Sequence, residues 1–334
     1  MRTLYFDCFS GISGDMVIGA LIDAGADPNR LVEELKKLHI DDEYMLKWTK
    51  LVKNGITSTK FDVMLKNVHS HHHAHDHDHE LDHEHIHAHD HDHEHSHDHE
   101  HEHIHAHDHD HEHSHDHEHE HEHSHVHDHE HEHGHSHEHI HAHEDEHHHD
   151  HHNHSHGNGH HHDHDHRAYK DIVALIEGAG FVEPVKNTAL KIFKRIGEAE
   201  GHIHGIPLEK VHFHEVGAVD SIIDIIGAAI LIHQLEIDVI KSSPIPVGTG
   251  RIHIDHGIYP VPAPATLEIL KGVPIEQSDI RFELTTPTGA AIVAVLADEF
   301  CPIPSMKVTS IGYGAGTKTF KNHPNVLRVV IGED

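Results

Sequence analysis

Histidine is the residue that most invites chemistry here. Fifty of the 98 residues between positions 69 and 166 are His, alternating with Asp, Glu, Ser or Ala. Neutral imidazole nitrogen suits nickel, copper, zinc and cobalt, and the interleaved carboxylates add hard oxygen donors. The tract holds no Cys, which disfavours copper(I) and thiolate-type zinc sites. Octahedral Ni(II) with several imidazoles fits well, with zinc as the competitor. Dense clusters such as His71, His72 and His73, the pair His103 and His105, and the run His147, His148 and His149 are candidate ligands. At roughly four ligands per ion the capacity is on the order of ten ions. Binding should weaken as pH falls through about 6.5, where imidazole protonates. Two plainer readings stand beside a nickel store: a repeat expanded without use, and a generic metal buffer. Residues 85–102 do recur unchanged at 103–120.

Outside the tract, two constellations stand out. The run Val211–Asp220 reads VHFHEVGAVD. In a strand, His212 and His214 would share one face, with Glu215 beside them. Asp220 and Asp224 are one helical turn apart on the next segment. His-x-His followed by carboxylates is a plausible divalent metal site. Equally, the histidines could be polar positions on an exposed strand and Asp220 a helix cap. The second constellation is the turn DCFSGISGDM at 7–16. Ser10, Gly11, Ser13 and Gly14 could present backbone N–H groups to an anion, or Asp7 and Asp15 could hold a metal. A tight strand-to-helix connection explains the same residues. Asp7, Asp15, Glu215 and Asp220 are the candidate catalytic carboxylates. His253 and His256 are further candidate ligands. Cys8 could be a thiolate ligand, though packing is the commoner fate of such a residue.

These residues need elements to position them. The Thr3–Phe6 run predicts a strand, and Met16–Ala24 a helix. Residues 44–53 and 59–66 alternate apolar and polar around Asn54-Gly55, the pattern of a hairpin. Helical spacing returns at Tyr169–Ala179 and Pro184–Ala199. A turn is expected at 201–205, a buried helix at 222–232, and a helix from about Ala265 after Pro260, Pro262 and Pro264. Residues 283–289 and 311–316 read as small-residue loops able to approach a phosphorylated ligand. The fold class expected is α/β, a mixed strand and helix domain interrupted by the long insertion. The divisions are 1–68, 69–166 and 167–334, the middle one disordered because it has almost nothing apolar to bury.

The net charge of −34 is mostly the tract's, which carries 28 acids and no Lys or Arg. The other 236 residues hold 30 acids against 24 bases, a net of −6. No basic stripe suggests a nucleic-acid partner. No apolar run suggests a membrane span, and two lone cysteines give no disulfide framework. The expected compartment is the cytoplasm.

Five segments together resemble the LarC family of nickel insertion proteins. They are DCFSGISGDM at 7–16, HFHEVGAVDSIIDI at 212–225, HGIYPVPAPAT at 256–266, ELTTPTGAA at 283–291 and GYGAGTKTFKNHPNVLR at 312–328. The resemblance covers the chain outside the tract, and such a His-rich insertion is typical of the family. It implies insertion of Ni(II) into pyridinium-3,5-bisthiocarboxylic acid mononucleotide, with CTP consumed. The product is the nickel-pincer cofactor of lactate racemase and related enzymes. The family's CTP-binding module follows the PNVLR-type segment. The resemblance therefore places CTP on a separate C-terminal subunit or module. A noncatalytic nickel storage or delivery protein is the competing reading.

Overall fold

Thr3 to Phe6 are all buried, the near-continuous apolar run of a strand covered on both faces. This strand, β1 (Arg2–Asp7), lies inside a seven-stranded sheet in a computed structural model of the chain. The residues described are 1–66, 167–213, 216–254 and 257–333. The elements before the tract are β1, α1 (Gly14–Asp23), α2 (Pro28–Leu35), β2 (Tyr44–Lys53) and β3 (Ile56–Leu65). After it come α3 (Tyr169–Gly178), α4 (Glu183–His204), α5 (Val219–Gln234), β4 (Val239–Ser242) and β5 (Ile245–Pro246). Then follow β6 (Arg251–Ile254), β7 (Gly257–Pro260), α6 (Pro264–Ile269) and β8 (Ile275–Glu276). The last are α7 (Pro287–Leu296), β9 (Glu299–Phe300), β10 (Lys307–Ala315) and β11 (Val326–Glu333).

The sheet order is β2-β3-β10-β11-β1-β4-β9. β1 runs parallel to β4 and antiparallel to β11, and β3 meets β10 in parallel. Sequence from both sides of the tract thus shares one sheet, and the mixed α/β class is observed. The hairpin β2–β3 turns at Asn54 and Gly55, both at positive φ (47° and 85°), as a two-residue turn requires.

The core is centred on α5. It packs against α1, α2, α4, α7 and β3, so it is apolar nearly all round. Ile222, Ile223, Ile225 and Ile226 are fully buried.

Two expectations about loops are overturned. Residues 311–315 are not a loop but the end of β10. Its Gly312 and Gly314 leave room for α1 to lie on the strand, where β-carbons would strike the α1 backbone at Ala20 and Met16. The turn expected at 201–205 is instead the last turn of α4. His202 and His204 are helical, and Gly205 (φ 65°) caps the helix in the left-handed region. The helix of residues 287–296 starts inside the other expected loop, with Thr286 as its N-cap.

Candidate functional site: a cleft at three helix starts

Three helices begin at one place. The loop before α1 is tied to the loop before α7 by Ile12 N donating to Leu284 O (3.1 Å) and Thr286 N donating to Ile12 O (3.1 Å). Gly289 permits the approach: a β-carbon there would lie 2.8 Å from Ser13 N. α5 is drawn against α1 at Gly227, where a β-carbon would lie 2.9 Å from Ile18 Cδ1. The first turns of α1, α5 and α7 therefore surround a cavity of about 430 Å3. Its wall includes Ser13, Gly14 and Asp15 from α1, Asp220, Ser221 and Asp224 from α5, and Thr286 and Thr288 from α7. Lys60 and Asp62 of β3, with Val216, Glu283 and Thr317, complete it.

The cleft's charge is strongly acidic around one ammonium. Lys60 Nζ donates to Asp15 Oδ2 (2.6 Å) and reaches Asp62 Oδ1 (3.1 Å). Burial pulls the Lys60 ammonium down, but Asp15 and Asp62 outweigh it and leave its pKa raised. Ser13 Oγ donates to Asp15, and Asp220 accepts from its neighbour Ser221 N (2.7 Å). Asp15 and Asp220 lie in the first turns of α1 and α5, where helix dipoles favour negative charge. The first turn of α7 has no acid; Thr286 Oγ accepts from Gly289 N (3.3 Å) there.

Asp224 is the unusual member. Its residue keeps partial accessibility, but its Oδ1 is sealed from solvent and has no hydrogen-bond partner among the described residues. Burial, then Asp15 and Asp220, push its carboxyl pKa well above the ordinary range, against an opposing pull from Lys60.

The cleft thus gathers Ser13, Gly14, Asp15, Asp220 and Asp224 of the residues expected from sequence. Others lie elsewhere. Asp7 pairs with Arg328. Ser10, fully buried, bonds His323 Nε2 (2.6 Å) and the Pro324 carbonyl, and so anchors the segment before β11. Gly11, at φ 86°, packs against Leu284 O. His212 is exposed in an isolated bridge to Ala168, not in a strand, and His253 is exposed on the β6–β7 hairpin. His214, Glu215, His256 and the tract residues His71, His72, His73, His103, His105, His147, His148 and His149 lie outside the described residues. Among the described residues no three of His, Cys, Asp and Glu are grouped to hold a metal ion. Nor is any helix among them long and apolar enough to cross a membrane. Cys8 is fully buried and its thiol is pushed up to about 12 by that burial, so it stays protonated.

Sequence reading missed Lys60 and Asp62, whereas Glu283, Thr286 and Thr288 fall in the segment 283–289 expected to approach a ligand, although the helix start within it was not foreseen. Two signals were present. Asp224 interrupts an isoleucine run that is otherwise all core, and Thr-Pro-Thr-Gly at 286–289 has the form of a helix start.

The model of the family described as nickel insertion protein matches residues 4–334. A pyridinium-3,5-bisthiocarboxylic acid mononucleotide nickel insertion protein of Geobacillus kaustophilus is 43% identical over 334 residues, covering 100% of this chain and 60% of the relative. Proteins of the same name from Clostridium kluyveri and Staphylococcus epidermidis strain RP62A are 39% and 37% identical. They match 100% and 98% of this chain, and 62% and 59% of their own lengths. The chain thus spans about three-fifths of these relatives. No solved structure matches it. A match over nearly every residue places this chain in the nickel insertion protein family.

Proposed function

We propose that this chain carries the nickel-inserting site for pyridinium-3,5-bisthiocarboxylic acid mononucleotide, and that the site is the cleft at the starts of α1, α5 and α7. The observation supporting it is convergence. Three segments far apart in sequence, 13–15, 220–224 and 283–288, meet in one cavity of about 430 Å3, a size that takes a small ligand. Its chemistry suits the substrate. Ni(II) is a cation, and a cleft whose carboxylates outnumber its one ammonium attracts it. The phosphate of the mononucleotide belongs at the start of α7, the one of the three without an acid in its first turn.

In this reading Ni(II) is cargo. The tract gathers it through imidazole, and the two sulfur donors of the substrate draw it from oxygen and nitrogen ligands. CTP binding is assigned to the part of the relatives that this chain does not span, as a C-terminal module or subunit. The product would serve nickel-pincer enzymes of the lactate racemase type.

The test is insertion in vitro. The chain, Ni(II), CTP and the mononucleotide are mixed with and without a separately made C-terminal part, and the product is identified by mass spectrometry. Nickel-bearing product that is lost when Asp15 and Asp220 are replaced by Asn supports the reading. Product formation indifferent to both changes moves the site elsewhere, and absence of product in every mixture overturns it.

A further inference from the structure

We infer that Asp224 is the base that takes the proton displaced from ring carbon 4 of the pyridinium when nickel binds there. The inference rests on the proposed function and deepens it.

The chemistry follows from where the sulfur groups stand. Thiocarboxylates at ring positions 3 and 5 flank position 4. A nickel ion held by both sulfurs is therefore pressed against the carbon 4–hydrogen bond. Joining nickel to that carbon breaks the bond. Its electron pair becomes the carbon–nickel bond, nickel remains in the +2 state, and one proton must leave. A group in the cleft has to receive it.

The cleft offers five carboxylates, and four are engaged. Asp15 is held by Ser13 and Lys60, and Asp62 by Lys60. Asp220 accepts from Ser221 N, and Glu283 is likewise partnered. Asp224 alone has an oxygen, Oδ1, that is shielded from water and unpartnered among the described residues. Such an atom costs free energy unless a ligand uses it. Gly14 makes the room that seats this carboxylate: a β-carbon there would lie 2.8 Å from Asp224 Cγ.

The charged groups acting on Asp224 are Asp15 from α1, Asp220 from α5 itself and Lys60 from β3, with Asp62 and Glu283 around them. In the empty cleft burial, with Asp15 and Asp220, raises the proton affinity of this carboxyl against the pull of Lys60. Entry of the Ni(II) ion favours its ionised form before the transfer. A carboxylate whose proton affinity is raised is a stronger general base than an ordinary one.

The experiment uses the 334-residue chain with the separately supplied C-terminal part, Ni(II), CTP and the mononucleotide. Asp224→Asn keeps the shape and removes a buried acid, so the fold is retained, checked by near-ultraviolet circular dichroism. The expected result is a kcat lower by about a hundredfold or more, with KM for the mononucleotide and Ni(II) binding unchanged. The wild-type rate should show an acid limb in its pH profile that Asp224→Asn lacks. Asp224→Glu, which keeps a carboxylate, should retain an intermediate rate. Wild-type kcat in Asp224→Asn, or a change confined to KM, overturns the inference while the proposed function stands. Failure of the wild-type chain itself to insert nickel overturns both.

Discussion

Gly14 and Asp224 are packed so closely that α1 and α5 can share the cleft only because Gly14 has no side chain. A β-carbon on Gly14 would lie 2.6 Å from Asp224 Cβ and 2.8 Å from its Cγ. Both are closer than nonbonded carbons approach. Gly14→Ala must therefore push the helices apart or turn the Asp224 carboxylate out of the cleft. Overpacking of this kind costs about 1–3 kcal/mol. Urea unfolding should show that loss, and nickel insertion should fall with it. An alanine variant of wild-type stability and activity would mean the two helices are looser than the contact requires.

Lys60 joins the strand before the tract to the start of α1 through its ion pair with Asp15. Its side chain is 11% exposed and that of Asp15 24%, so the pair is partly screened. Lys60→Met leaves Asp15 and Asp62 without a cation, and because both carboxylates are partly exposed the loss should be about 1–2 kcal/mol, between that of a surface pair and a buried one. It also removes the charge that holds Asp224 down. The acid limb of the insertion profile should then move to higher pH. Stability and the pH profile measured on one preparation check both effects.

Asp224 ties stability to pH with a definite sign. Its folded-state pKa is raised by burial and by Asp15 and Asp220. Between the ordinary carboxylate range and that raised value, the folded chain holds a proton that the unfolded chain releases. Its contribution therefore favours folding at low pH and is lost as pH rises through that window. Asp224→Asn removes the penalty. At neutral pH its Tm should exceed that of the wild type, and the difference should vanish towards pH 4. Thermal unfolding of both chains across pH 4 to 8 measures it. A Tm lower than wild type at neutral pH would show that the carboxylate has a stabilising partner.

The α1 turn, the hairpin and the isoleucine helix were legible because each has a local signal: a strand followed by small residues, Asn-Gly, and an apolar run. Ser13, Gly14, Asp15 and Asp220 could be named for the same reason. Their meeting could not. It depends on the ladder between Ile12 and Thr285, about 270 residues apart, and on glycines whose use shows only when a second helix lies on them. The segment 311–315 misled because glycine reads as a loop signal, whereas here it clears space on a strand. Lys60 was hidden by its neighbours, since an alternating strand with one lysine looks half-exposed while residues 58–61 are all buried.

The two cysteines should differ in reactivity. Cys8 is fully buried against Ser242 (3.8 Å between Sγ and Oγ), and burial pushes its pKa up to about 12. Cys301 is partly exposed. A thiol needs both access and ionisation to react. Native protein titrated with a thiol-exchange reagent should give one equivalent, mapped to Cys301 by peptide mass, and a second only on unfolding. Rapid labelling of Cys8 in the native state would contradict its placement. Cys8→Ser should accordingly leave nickel binding unchanged.

Deleting residues 69–166 should separate gathering nickel from inserting it. The tract holds 50 of the 59 histidines, so its removal should cut nickel capacity by on the order of ten ions per chain. In the intact chain that capacity should be present at pH 8 and largely gone at pH 5, because proton and metal compete for the same nitrogen. The deletion joins ends that both meet Glu43, Lys66 through its backbone N and Arg167 through its side chain, so a short link closes the gap and the remaining domain should fold. At limiting nickel the deleted chain should insert slowly, and at saturating nickel it should match the full chain. Isothermal titration at the two pH values and insertion rates across nickel concentrations test these outcomes. A deletion chain inactive at every nickel level would make the histidines part of the transfer step and leave the cleft insufficient for the chemistry.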